Sequence, residues 1–454
     1  MSSKDRYVFP EDFMWGAACS AFQLEGASYI DGKTANIEEQ AFEDPERKFK
    51  FQDDRTPYVS ADFYHKYPQD IALMREMGIK SFRFSIAWAR ICPDVSGIPN
   101  RAGIDYYNRV IDELIAQGIT PMFDLFHSDL PYWVIEEGGT CDERFVEWFV
   151  HYATICFREF GDRVKLWNTV NEPKLTIYGP YSFARSAPYI RDEALALKST
   201  HNMLIAHFRC VKILHEMWPD AQIGAVNNAG KCYSMSFEAE HIEAADRHGA
   251  MQLLFLDPML LGTYPKEALE YEGVGKYISE EMVAQLKSEF VPMDFYGINC
   301  YCPMFIRAGG TSADGTTYYK PDVPCDEYGF HTYAPAMFDL LMDLKDRYGD
   351  VPVYITENGY TCRRNVETME VENDLNDTAR INYIREHLRA ARRAIRAGVN
   401  LKGYYYWSVM DCWEGSMGYG YPMGLIAVNF DTLERTPRDS FYYYQTVISH
   451  NMVD

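Results

Sequence analysis

The chain has 454 residues, of which 47% are apolar, enough to fill a large core and to exclude a disordered polymer. A net charge of −22 repels phosphate backbones and anionic lipid, so nucleic acid and membrane partners are not expected. Eleven cysteines without a Cys-x-x-Cys pair exclude a zinc knuckle or disulfide scaffold, and free thiols in a reducing cytoplasm fit best.

The opening "MSSKDRYVFPEDF" shows no apolar signal region, and no run approaches 18 uninterrupted apolar residues, so neither a signal peptide nor a membrane span is expected. "FMWGAA" near residue 15 predicts the first strand. "DFYHKYPQDIALMREMG" has helical spacing, with Ile71, Met74 and Met77 on one side and Gly78 as a stop. "IKSFRFSIAW" is the next strand, "GIDYYNRVIDELIAQG" a helix and "ITPMFDLFH" a third strand. "DERFVEWFVHYATICFREFG" is helical and "VKLWNTV" extended. A long helix ending near Trp218 precedes "AQIGAVNN"; "MDFYGINCY", "VPVYITENG" and "LKGYYYWSVMD" complete eight strands. Between the sixth and seventh, "RAGGTSADGTTYYKPDVPCDEYGF" predicts a long loop over the mouth of the fold.

Strands alternating with helices imply a parallel sheet under a helical cover. Length alone would suggest about three domains, but no Gly/Ser tract, Pro-rich run or charge block divides the chain, so one domain over 1–454 is expected. Eight units in an undivided chain favour a closed (β/α)₈ TIM barrel with its active site at the C-terminal ends of the strands. No Gly-rich dinucleotide or Walker signature follows a strand, and no cofactor is expected. The 34 Tyr and 8 Trp suit a carbohydrate-binding cleft as well as an aromatic-rich core.

The residues ending the strands carry chemistry. Arg83 lies in the second strand, His127 ends the third and Asn171-Glu172 the fourth. Asn299 and Tyr301 end the sixth, Glu357 the seventh, and Trp407 lies in the eighth. "TVNEP" and "ITENG" share a pattern of apolar strand, Glu and chain breaker, which leaves two carboxylates pointing into one mouth. A single Glu at a strand end is usually a solvated loop residue or a helix N-terminal acid. Two, with Arg, His and Asn at neighbouring ends, form a site. Paired carboxylates flanking a bond suit glycosidic cleavage: one, protonated, helps the leaving oxygen depart, and the other, ionised, attacks the anomeric carbon. Arg83 would favour the charged form of the attacking carboxylate, and Tyr301 could donate to it.

With these residues in place the sequence resembles the glycoside hydrolase family 1 β-glucosidases, which are retaining (β/α)₈ enzymes. "FMWGAACSAFQLEGA", "DIALMREMGIKSFRFSIAWARI", "WNTVNEP", "DFYGINCY" and "YITENG" carry the likeness over nearly the whole chain. The resemblance implies that Glu172 is the acid/base and Glu357 the nucleophile. It further implies that Asn171 binds the sugar 2-hydroxyl, Gln23 and His127 bind glycone hydroxyls, and Asn299 and Tyr301 support the site. Trp407 is then the platform under the ring, and Glu414 holds O4 and O6.

Two positions depart from the family pattern. "HSDLP" has Ser128 where a tryptophan is usual, and "DCWEG" has Gly415 where another is usual. Losing two indoles of roughly 150–250 Å² each removes pocket wall, so a wider pocket accepting a substituted or branched glycone is expected, unless Trp413 refills the space. A 6-phospho-β-glucosidase is the alternative, disfavoured by Glu414 and by the lack of Lys or Arg between Gly403 and Glu434. A catalytically weak sugar-binding barrel is the alternative from another class, but both glutamates are present. A metal-dependent hydrolase would want clustered His and Asp ligands, so no metal is expected. The expected partner is a small carbohydrate or glycoside; a homo-oligomer stays open.

Overall fold

The computed structural model of the protein describes residues 7–47, 55–310, 315–365, 367–371 and 374–454. The first six residues of the opening segment, and 311–314 of the expected mouth loop, lie outside them.

Eight parallel strands close into a barrel in chain order: β1 (Met14–Ala18), β2 (Ser81–Ser85), β3 (Thr120–Phe126), β4 (Leu166–Asn171), β5 (Gln222–Asn228), β6 (Phe295–Asn299), β7 (Val353–Asn358) and β8 (Leu401–Trp407). Each coincides with one of the eight apolar runs read from the sequence. Such runs are buried on both faces, as parallel strands under a helical cover must be. Closure comes from β1 against β8, with Met14 opposite Gly403 and Ala18 opposite Trp407. The four expected helices form at Phe63–Met77, Arg101–Ala116, Arg144–Phe160 and Glu193–Met217. Gly78 ends the first in a left-handed conformation at φ 85°, where a side chain would be strained.

Inside the barrel, Ala18, Met122, Leu166, Phe295, Tyr354, Tyr405 and Trp407 pack together. Gly16 is required there: a Cβ on it would lie 2.3 Å from the Tyr405 ring. The larger apolar cluster sits between barrel and helices.

The mouth loop needs correction. Two pieces of it are β-structure: residues 307–308 end a strand, Met304–Ala308, that begins before the loop, and Thr316–Tyr318 pairs antiparallel with that strand, whose residues 304–306 pair parallel with Cys232–Ser234 to complete a three-stranded sheet. Its glycines signalled a loop, while Thr316, Thr317 and Tyr318 supplied a strand preference. A two-stranded sheet, Ile426–Asn429 with Glu434–Pro437, was not foreseen either. Among the described residues, no helix is long and apolar enough to cross a membrane.

Candidate active site

The parallel barrel brings the C-terminal ends of its strands to one face, and a pocket of about 560 Å³ opens there. Gln23, His127, Asn171, Glu172, Asn299, Tyr301, Glu357, Trp407 and Glu414 all line it. Arg83 lies beneath them, 1% exposed.

Arg83 organises the floor. It donates from Nη1 to Glu357 Oε1 at 2.6 Å and from Nη2 to Asn171 Oδ1 at 2.8 Å. Its other edge grips Asp124, with Nη2–Oδ2 at 2.5 Å and Nε–Oδ1 at 3.2 Å. Burial works against the charge on Asp124, but Arg83 and His127 outweigh it and hold the carboxyl below its usual range. Asp124 was missed from sequence, although a lone acid inside the apolar run "MFDLF" was the available signal.

Amide orientations follow from the same network. Asn171 Oδ1 accepts from Arg83 and from Asn299 Nδ2 at 3.0 Å. Its Nδ2 is therefore turned toward His127 Nε2, 3.3 Å away. Asn299 Oδ1 accepts from Thr356 Oγ1 at 2.9 Å, which leaves its Nδ2 to donate to Glu172 Oε1, also at 2.9 Å.

The two glutamates are held differently. Glu357 stands within β7, and both its oxygens accept: Oε1 from Arg83, Oε2 from the Tyr301 hydroxyl at 2.6 Å. Glu172 follows β4 with φ 47°, a left-handed conformation uncommon for any residue but glycine. Its N–H is pinned to the Val226 carbonyl at 2.8 Å, and Pro173 then starts a helical segment. Among the described residues, Asn299 is the one hydrogen-bond donor to its carboxylate. Burial is the main reason its carboxyl is held above the usual range, with Asn299, Arg185 and Arg83 pulling the other way. Burial also raises Glu357, with a contribution from Glu172's charge, against Arg83, His127 and Tyr301.

Across the pocket, Gln23 donates from Nε2 to Glu414 Oε2 at 2.9 Å and accepts from Ser20 Oγ at 2.7 Å. Trp407 Nε1 and Cys412 Sγ each lie 3.4 Å from Glu414 Oε1. Burial pushes the Glu414 carboxyl up to about 8. The Trp407 and His127 rings lie parallel, 9° between planes and 5.4 Å between centroids.

Ser128 and Gly415 also line the pocket. A Cβ at Gly415 would meet nothing within 4 Å. Trp413 points elsewhere: it is fully buried and packs with Phe22, Phe42 and Tyr419. Arg47 and Arg185 face the same pocket and carried no sequence signal, since neither belongs to a motif. Among the described residues, the group able to gather around a metal ion is Glu238, Glu240 and His241, and none of these lines the pocket.

Residues 5–453 match the family model described as Glycosyl hydrolase family 1. The chain is 37% identical to Beta-glucosidase A of Acetivibrio thermocellus, over 98% of this chain and 99% of that protein. It is 35% identical to the 6-phospho-beta-glucosidase GmuD of Bacillus subtilis, over 99% of this chain and 100% of that protein. The solved family 1 b-glucosidase from Thermotoga maritima in complex with isofagomine lactam superposes with a TM-score of 0.92 at 34% identity, covering 99% of this chain and 100% of that one. A closed barrel with two glutamates converging at its mouth and a family match over nearly every residue lead to one conclusion: the chain belongs to glycosyl hydrolase family 1 and is a retaining glycosidase of the β-glucosidase type.

Proposed function

We propose that the protein, acting as one glycosidase domain over its 454 residues, hydrolyses β-linked glucosides or related glycosides through a covalent glycosyl-enzyme. The observation that carries the assignment is the unequal setting of the two carboxyls. Glu357 receives a guanidinium and a phenol, donors that favour an anion. Glu172 receives one neutral amide, and burial raises its carboxyl above the usual range, which favours the neutral acid.

In the first step a Glu357 oxygen forms a bond to the anomeric carbon as the C1–O bond breaks, and the leaving oxygen takes the Glu172 proton. Glycosylation removes the charge on Glu357. Glu172, now ionised, takes a proton from water while the water oxygen displaces Glu357 from C1. Free enzyme and hydrolysed products are restored. Asn171 Nδ2 is the donor left for the 2-hydroxyl, Gln23, His127 and Glu414 serve the remaining glycone hydroxyls, and Trp407 packs against the apolar sugar face.

The pocket we read as wider than a plain glucose needs. Open space at Gly415 and the outward packing of Trp413 support this reading. A substituent or branch on the glycone would occupy the space. Ser128→Trp is expected to lower kcat/KM for a branched disaccharide glycoside by about tenfold relative to the plain aryl β-glucoside; an equal effect on both removes the wide-pocket reading. A 6-phospho glycone has less support, because Glu414 would repel it and no Lys or Arg occurs between Gly403 and Glu434.

The test of the central reading is a pair of variants. Glu172→Ala should lose turnover yet keep part of it on substrates with good leaving groups, with further rescue by azide. Glu357→Ala should lose nearly all activity, and a 2-deoxy-2-fluoroglucoside should label Glu357 in the native protein. Equal behaviour of the two variants, or a label elsewhere, overturns the roles. kcat/KM should fall on the acid side as Glu357 protonates and on the alkaline side as Glu172 ionises, with Glu172→Gln losing the alkaline limb.

A further inference from the structure

Two arginines in the pocket have no part in the chemistry above. Arg47 follows the short helix Ile37–Glu43, and Arg185 lies in the segment that leads away from Glu172. Both line the pocket that holds Glu172 and Glu357. Many arginines here pair with an acid, among them Arg83 with Glu357 and Asp124, Arg347 with Asp257 and Arg438 with Asp411. Arg47 and Arg185 are different: among the described residues, neither has a carboxylate within 4.0 Å.

Their placement is specific. The Arg47 guanidinium lies over the Tyr189 ring, 4.0 Å from its centroid. That contact holds the cation against the ring while a guanidinium keeps N–H donors for a further partner. Tyr189 belongs to the same segment as Arg185, and Ser186 of that segment also faces the pocket. Ala184 at φ 55° and Tyr189 at φ 59° are left-handed on either side, so this short stretch has a defined course. Arg185's charge acts on Glu172 and on Glu38, lowering both carboxyls against the effect of burial. Arg185 follows β4, the strand that leads to Glu172 and stands across the closed barrel from β8, which leads to Glu414, and Arg47 meets that same segment at Tyr189; the cations flank the acid/base side, where the leaving group departs.

Glu38 is a competing acid, and it also lines the pocket. Burial raises its carboxyl above the usual range, with Arg185 lowering it and Asp129 raising it. A carboxyl held toward its neutral form satisfies Arg185 poorly. In a protein whose overall field repels anions, two unpaired guanidinium groups beside a reaction centre would create a local exception.

We infer that Arg47 and Arg185 form an anion subsite for the leaving group, so that the enzyme favours β-glycosides whose aglycone carries a carboxylate. The inference rests on the assignment of Glu172 as the acid/base. It concerns which aglycone is preferred, not whether glycosides are cleaved.

The test compares 4-carboxyphenyl and 4-carbamoylphenyl β-glucosides, which differ in charge and little in shape. At low ionic strength kcat/KM should favour the carboxylate by about 3- to 10-fold, the size expected of two partly solvated ion pairs. In Arg47→Ala/Arg185→Ala the ratio should fall to near one, as it should for the native protein in about 0.5 M salt. Glu38→Gln should raise it. The same two aglycones as S-linked glucosides, bound to the native protein and followed by calorimetry, give the preference without turnover. A native ratio at or below one in both assays, or a ratio the double variant leaves intact, overturns the subsite. Preference in calorimetry without cleavage of either O-glucoside overturns the hydrolytic reading and leaves the subsite standing. A higher rate on the 6-phospho-β-glucoside that falls in the double variant would place the anion on the glycone and also overturn it.

Discussion

Arg83 holds three side chains in register at once: the carboxylates of Glu357 and Asp124 and the amide of Asn171. A lysine keeps the charge but offers one point where the guanidinium offers two edges. Arg83→Lys should therefore lower kcat by about 100-fold, the scale of a small misplacement of reacting groups. Weaker pairing also raises Glu357 further, so the acidic limb of kcat/KM should move to higher pH. An unchanged pH profile with full activity would show that Arg83 only fills space. At this scale the sequence was legible where side chain and chain course agreed. Glu172 and Glu357 each follow an apolar run and precede a breaker, and the structure brings both to one pocket with Asn171, Asn299, Tyr301, Trp407 and Glu414. Asp124 was not legible, because an acid within an apolar run announces a partner without saying which one. Arg47 and Arg185 were not legible either, since what sets them apart is their place on the pocket without, among the described residues, an acid in ion-pair contact, which only the fold decides.

The strands were legible as elements because apolar runs of five to seven residues between helices admit few other states. Their glycines were not explained by that pattern. Gly16 lies where the Tyr405 ring crosses β1, so Gly16→Ala should destabilise the fold by about 1–3 kcal/mol through overpacking. The urea midpoint should fall, and a midpoint equal to the native value would mean the ring moves freely aside. The segment after β6 misled in the opposite direction. Glycines marked it as loop, but Thr316–Tyr318 folds back on a strand that starts at Met304, before the loop, and that strand is itself held by Cys232–Ser234, more than seventy positions away, which local reading does not see.

For the molecule as a whole, the site is a stability liability. Glu414 has a folded pKa of about 8, whereas an unfolded glutamate titrates near its ordinary value of about 4.3. Between those two values the unfolded chain gives up the proton first, so stability from this group is lost as pH rises through the window. Glu414→Gln has no such loss. It should be the more stable protein at pH 8 by about 1–2 kcal/mol relative to the comparison at pH 5, after discounting for partial exposure of the carboxyl. Thermal unfolding at the two pH values checks this, and a constant gap would argue against a raised folded pKa.

The closure of the barrel also has a meaning in time. β1 is made early, yet its partner β8 begins only at Leu401 and supplies Trp407, with Glu414 just beyond. While the chain is being synthesised, β1 and β7 present open edges that can template wrong pairing. The glycone end of the pocket does not exist until the chain from Leu401 through Glu414 has left the ribosome. Nascent chains stopped before Leu401 should therefore be inactive and readily proteolysed, and activity should arrive late in translation instead of growing with length.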